Sequence, residues 1–213
     1  MNPAKLTGGV ILALCLAGPG KTQGLSAEDI LGEAQQQSAR IDDVLALLDH
    51  PDPHVRILAL QRMVREGSDY ERRLGLQRAF ISGDEGLRHA AIKHRLEEMP
   101  TLPVVLAIPE EDAEAVHERV RALFTTDGTF VQMVPMGEMD FRTGQFLVQP
   151  GTGDGSPGFV NGDTVSFQFR PGQLYNRVGH CAGELELTSE LALAGVARCQ
   201  DLQPPLQMTI QLF

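Results

Sequence analysis

The sequence predicts a two-part α+β protein: a short region of helical hairpins, then a small antiparallel all-β domain, sandwich or barrel-like, with one disulfide. Three observations carry this expectation. Residues 48–59 and 80–91 echo each other at a constant offset of 32, which relates Asp52 to Asp84, Arg56 to Arg88 and Ala59 to Ala91. A repeat of that length is one supersecondary unit that hides its apolar face only by stacking on a neighbour. Beyond Gly128 the apolar period falls to two, as where Val165, Phe167 and Phe169 alternate with Ser166 and Gln168, the pattern of strands with one buried face. Finally, Cys181 and Cys199 lie symmetrically about position 190, so a hairpin turning at residues 189–191 sets them opposite each other.

Residues 1–24 read as a cleaved secretory signal. Lys5 supplies the positive end, and residues 6–17 form an apolar run too short to cross a bilayer. Small residues suited to cleavage follow. Leu14 stands where a lipoprotein signal wants a small residue before Cys15, so a lipid anchor is not expected. Export removes Cys15 and leaves an even pair of cysteines in an oxidising compartment, the periplasm or the exterior. The hairpin register that joins them also sets Leu187 against Leu193 and Leu185 against Gly195, while Glu184 and Glu186 point the other way. A helix over 190–198 competes with this reading, but Gly195 costs it about 1 kcal/mol.

Residues 25–99 form the helical region. Ser26 is an N-cap with acids behind it, and Ile30, Ala34, Ile41, Val44 and Leu48 recur at helical spacing until Pro51 and Pro53 stop the pattern. The run Asp52-Pro53-His54-Val55-Arg56-Ile57-Leu58-Ala59-Leu60 resembles the opening of the second helix of a HEAT-like repeat, of the kind also found in the phycobilisome-lyase group. Asp84, Arg88 and Ala91 keep three marks of that pattern, and the proline is absent from the second copy. The first helix of the second unit is expected over 70–81, where Leu76, Ala79 and Phe80 match Val44, Leu47 and Leu48. The resemblance implies stacked helical hairpins. It leaves function open, because such repeats serve lyases, adaptors and assembly factors alike. Two units are visible where a stack generally needs at least three, so the helix after Ser26 is expected to cover one end of the pair. The following helix or the β domain should cover the other.

Residues 100–128 read as a connecting strand and helix. The apolar run 104–108 is the strand, and Pro109-Glu110-Glu111-Asp112 is a helix start with Ala113, Val116, Val120, Leu123 and Phe124 as its buried stripe. Residues 129–213 make the all-β domain, with strands expected at 130–135, 141–148, 164–169, the two arms of the cysteine hairpin and 206–213.

With 18 basic residues against 28 acidic, a net charge of -10 and a pI near 5.0, the chain repels phosphate backbones and anionic lipid. Nucleic acid is not an expected partner, and neither membrane insertion after signal cleavage nor any cofactor is expected. The glycine-rich run 151–158 lacks the Gly-x-Ser-x-Gly spacing of a nucleophile elbow and the Gly-Lys-Ser/Thr of a phosphate loop. Asp154, Asn161 and Asp163 are the calcium candidates, although their spacing is not that of an EF-hand. His50 and His54 are separated by prolines, His89 and His94 fall on different sides of a helix, and His180 adjoins a cysteine committed to a disulfide. A sugar platform has no tryptophan to build on, and the chain has two tyrosines, Tyr70 and Tyr175.

The leading expectation is therefore an exported, non-enzymatic scaffold or assembly module of the cell envelope, with another envelope or secreted protein as partner. His50, His54, Arg56 and Arg88 are its candidate contacts, though arginines in a repeat more often bridge carboxylates and carbonyls between units. The alternatives are an envelope enzyme acting through loop 151–163, with Asp154, Ser156 and Asp163, and a calcium- or glycan-binding module.

Overall fold

The computed structural model of the chain describes residues 26–149 and 155–213. The predicted signal, with Cys15, and Asp154 lie outside the described residues. The chain divides into two compact units, one ending at Ala39 and one running Arg40–Phe213. The second contains both the helical hairpins and the β structure.

Helix α1 spans Ala27–Ala46 as one element. Ser26 opens it, its Oγ accepting the Asp29 N–H at 3.1 Å. Every residue from Ser26 to Arg40 is exposed, and Ile41 is the buried position. A 3-10 turn, Leu47–Asp49, then leads to α2, Pro53–Glu66, which begins with proline in its first turn and Asp52 as N-cap. α3 is Asp69–Phe80 and starts on a complete capping box between Ser68 and Glu71. α4 is Glu85–Glu97, capped by Asp84. The 32-residue offset thus holds in three dimensions: Asp52 and Asp84 cap the two equivalent helices, and Ala59 and Ala91 are both buried.

The β structure is a closed, wholly antiparallel eight-stranded barrel in which each strand pairs with the next and β8 returns to β1. Its strands are β1 Thr101–Ala107, β2 Thr129–Asp140, β3 Gln145–Val148, β4 Ser156–Asn161, β5 Thr164–Phe169, β6 Cys181–Leu187, β7 Ala192–Cys199 and β8 Leu206–Gln211. Alternate residues fill the interior, among them Leu102, Val104, Phe146, Val165, Phe169, Leu185, Met208 and Ile210, each at most 1 % exposed. The inside is a packed core, and closure leaves no sheet edge to pair with another chain.

The cysteine hairpin forms in the expected register. Cys181 lies opposite Cys199, Leu185 opposite Gly195 and Leu187 opposite Leu193. The disulfide is closed, and Glu184 and Glu186 point outward.

Three expectations change. The segment 100–128 is not a connector, because β1 is the first stave of the barrel, paired with β2 on one side and β8 on the other. Pro103 is tolerated there because pairing with β8 starts only at Val104. The helix expected from Pro109 to Phe124 is broken into a 3-10 turn, Glu110–Asp112, and a single turn α5, Glu118–Arg121. His117 caps α5 through its side chain, and Val116, Val120 and Phe124 are still buried. Finally, the glycine-rich stretch is strand from Ser156 onward. Gly158 sits opposite Phe146, where a Cβ would lie 2.3 Å from the aromatic ring, so the position takes glycine because the ring occupies the space.

The disulfide closes a loop of 18 residues. In the chain-entropy account it adds roughly 3 kcal/mol. Replacing both cysteines by alanine should lower unfolding free energy in urea by about that amount, with β-rich circular dichroism retained.

Candidate functional site

The polar residues singled out by the repeat converge on α4 and the barrel turns that meet it. Arg56 lies on α2 and Arg88 one unit later on α4. Arg56 donates through Nη1 to the His50 carbonyl at 2.6 Å and the Pro51 carbonyl at 3.1 Å, and pairs through Nη2 with Asp84. Arg88 does the same one step on. Its Nη1 donates to the Ser82 carbonyl at 2.6 Å, and its Nε and Nη2 bind Asp163 at 2.7 to 3.0 Å. Each arginine closes the turn before its own helix and then reaches an aspartate of the next element. For Arg56 that element is the second unit, and for Arg88 it is the barrel.

Asp84 serves two purposes. Its Oδ1 accepts the Leu87 N–H at 3.1 Å as N-cap, while Oδ2 faces Arg56. Burial opposes its ionisation, but the Leu87 amide and the Arg56 guanidinium outweigh burial and hold the carboxyl below the usual range. Asp163 stands in the two-residue turn between β4 and β5. Gly162 precedes it at φ 59°, the left-handed position that such a hairpin requires and glycine takes without strain.

Two further contacts complete the seam. The His89 Nδ1 lies 3.2 Å from the Gly162 carbonyl; a carbonyl only accepts, so Nδ1 carries the proton. Phe141, in the turn after β2, gives its carbonyl to Lys93 Nζ at 2.8 Å and its ring to His94 at 4.7 Å between centroids. At the far end of α4, Arg95 donates to the Leu212 carbonyl and lies over the Phe213 ring, which meets Phe80 edge-on at 5.8 Å. Three separate parts of the barrel therefore grip one helix.

His94 is the buried titratable group of this seam, 1 % exposed and with no hydrogen-bond partner for Nδ1. Burial, with help from the charges of Arg65 and Lys93, lowers its pKa to about 4.

The sequence candidates divide accordingly. Arg56 and Arg88 are brought into one ladder, as structural bridges. His50 closes its own turn by accepting the Asp52 N–H at Nδ1, 3.1 Å, and His54 is exposed. Of the calcium candidates, Asp163 is engaged by Arg88, Asn161 is an exposed strand end and Asp154 lies outside the described residues. Ser156 and Asp163 lie at opposite ends of β4, so they do not converge on one reacting atom. Among the described residues no three His, Cys, Asp or Glu side chains could share a metal ion. Tyr175 and His180 touch, hydroxyl to Nε2 at 3.3 Å, but the neighbouring Cys181 is in the disulfide. Sequence reasoning missed the outer wall of the barrel. Val131, Met133, Leu147 and Phe159 project outward from β2, β3 and β4, each at least 44 % exposed. The cross-strand partners Val105 opposite Val131 and Pro103 opposite Met133 extend this apolar surface onto β1. Odd–even parity along β2 would have marked it.

Compared with protein-family models, curated proteins and solved structures, the chain matches none.

The seam gives two measurable outcomes. Arg88→Ala should cost about 2 kcal/mol in urea unfolding, because it removes several charge-assisted bonds from a pair whose side chains are only 21 % and 33 % exposed. Arg78→Ala, which removes the open pair with Asp49 at 50 % and 57 % exposure, should cost less than about 0.5 kcal/mol. A histidine whose folded pKa is lowered to about 4 from 6.5 stabilises fully above the unfolded value, and that stability is lost as pH falls towards the folded one. From about pH 7 to pH 5 the loss should approach 2 kcal/mol, and His94→Leu should remove it.

Proposed function

We propose that the protein is an exported, non-enzymatic interaction or assembly module of the cell envelope, built from two HEAT-like helical units and a barrel. The single observation that carries this reading is the apolar outer wall of β1–β4, where Val131, Met133, Leu147 and Phe159 stand in solvent on one side of the barrel. Val131 and Met133, with Val105 and Pro103 opposite them on β1, form an apolar patch, and such a patch marks a contact surface more often than an ordinary exterior. The remaining wall is polar, with Glu184, Glu186 and Arg198 outward on β6 and β7. An apolar interior with charge outside is the reverse of a membrane-spanning barrel, which supports a water-facing protein. Among the described residues no helix is long and apolar enough to cross a membrane. The disulfide fits an oxidising compartment.

The test is cross-linking in an envelope fraction, then purification and identification of what is joined to the protein. The wild type should retain a specific partner, and Met133→Glu with Phe159→Glu should lose it while melting at the same temperature. A wild type that brings nothing above background would overturn the proposal.

A further inference from the structure

The ladder of arginines and aspartates has one open end. Asp84 receives Arg56, and Asp163 receives Arg88. Asp52 is the same residue one unit earlier. It caps α2 by accepting the His54 N–H at 2.8 Å, yet among the described residues no cation pairs with it. The packing around it is open in the same sense. Ala79 and Ala90 of the second unit are 0 % and 8 % exposed, whereas their equivalents in the first unit, Leu47 and Leu58, are 41 % and 56 % exposed. Arg62 is likewise exposed where its counterpart His94 is buried. Two equivalent positions that carry alanine in the covered unit carry leucine in the open one, so the uncovered face is the more apolar of the two. Beside it a groove of about 450 Å³ runs between α1 and α2 over Ile41, Val44, Leu47, Ala59 and Met63.

The geometry points to this end face as the docking site for an α-helical segment of another polypeptide that presents an arginine to Asp52 and apolar side chains to Leu47 and Leu58. This deepens the interaction reading and rests on it. The repeat contact inside the chain is the template, since Arg56 already makes this bond to Asp84 across a helix–helix interface that the open face continues. Charge selects the same occupant. The groove's own cations are taken, Arg40 by Glu71 at 3.0 Å and Arg62 by Glu66 at 4.0 Å. Asp43 and Asp52 are exposed carboxylates that make no salt bridge among the described residues. A second copy would bring a net charge of -10 to an acidic face, so the complement is a basic helix from a different chain.

The experiment places the photo-cross-linking residue p-benzoylphenylalanine at Leu58 in the full chain in its own cells, with a second probe at Phe159 on the barrel wall. Mass spectrometry then identifies the joined peptide. The Leu58 probe should join an arginine-bearing helical peptide of another protein. Asp52→Ser, which keeps an N-cap oxygen but removes the charge, should lower that yield about tenfold, the loss of roughly 1.4 kcal/mol, and leave the yield at Phe159 unchanged. A product at Leu58 joined to the protein's own sequence, a product indifferent to Asp52→Ser, or no product at Leu58 would each overturn the inference. With the Phe159 probe still joined to a partner, those outcomes leave the wider interaction reading standing. Silence at both positions sinks the two together.

Discussion

One arrangement recurs along the helical region: an aspartate at the start of one element meets the guanidinium of the element before it. Asp84 does so for Arg56 and Asp163 for Arg88, although the first lies on a helix and the second on a β-hairpin. A fork of N–H donors already tied to carbonyls of its own turn, two for Arg56 and one for Arg88, has little freedom left, so it fixes where its aspartate must stand. The barrel cannot slide or rotate on α4 without breaking this bond. Phe141 and the strand end at Leu212 then fix the remaining directions. Seating by three points makes the helices and barrel from Arg40 onward one compact unit.

The same arrangement explains why a short repeat is viable. Two helical hairpins cannot enclose a core unaided. Here Leu87, Ile92 and Leu96 of α4 are fully buried in one continuous apolar cluster with Leu102, Phe146 and Val165 of the barrel. His94 is a polar side chain within that seam, and no hydrogen bond reaches its Nδ1. Its neutral form is tolerated there while its charged form is not.

How much of this could be read from the chain depends on the range of the interaction. Local signals translated well: Ser26 as the cap of α1, and the cysteine hairpin with its register from Cys181 opposite Cys199 to Leu187 opposite Leu193. Long-range replacement did not. Gly158 looks like loop until Phe146 is known to fill the space above it. Arg88 could be placed on a helix, but its partner lies 75 residues away, and no spacing rule joins the two. The ladder was half legible, in that the repeated arginines pointed to bridging roles and left the second bridge's far end unnamed. The outer wall of β2–β4 was hidden for another reason. Val131 and Met133 share one face of β2 ahead of the bulge, and only closure of the barrel shows that face to be the outside.

Asp163 gives the stack a grammar. The β4–β5 turn copies the acceptor half of a repeat and supplies no arginine of its own, so it ends the series as a stop signal ends a reading frame. A unit added ahead of α1 would leave the helix on which the barrel rests untouched. Growth at the other end would mean inventing a new seat for the barrel. Lengthening by duplication therefore has one permitted direction in this architecture, and relatives that differ in the number of helical hairpins should differ upstream of the first aspartate.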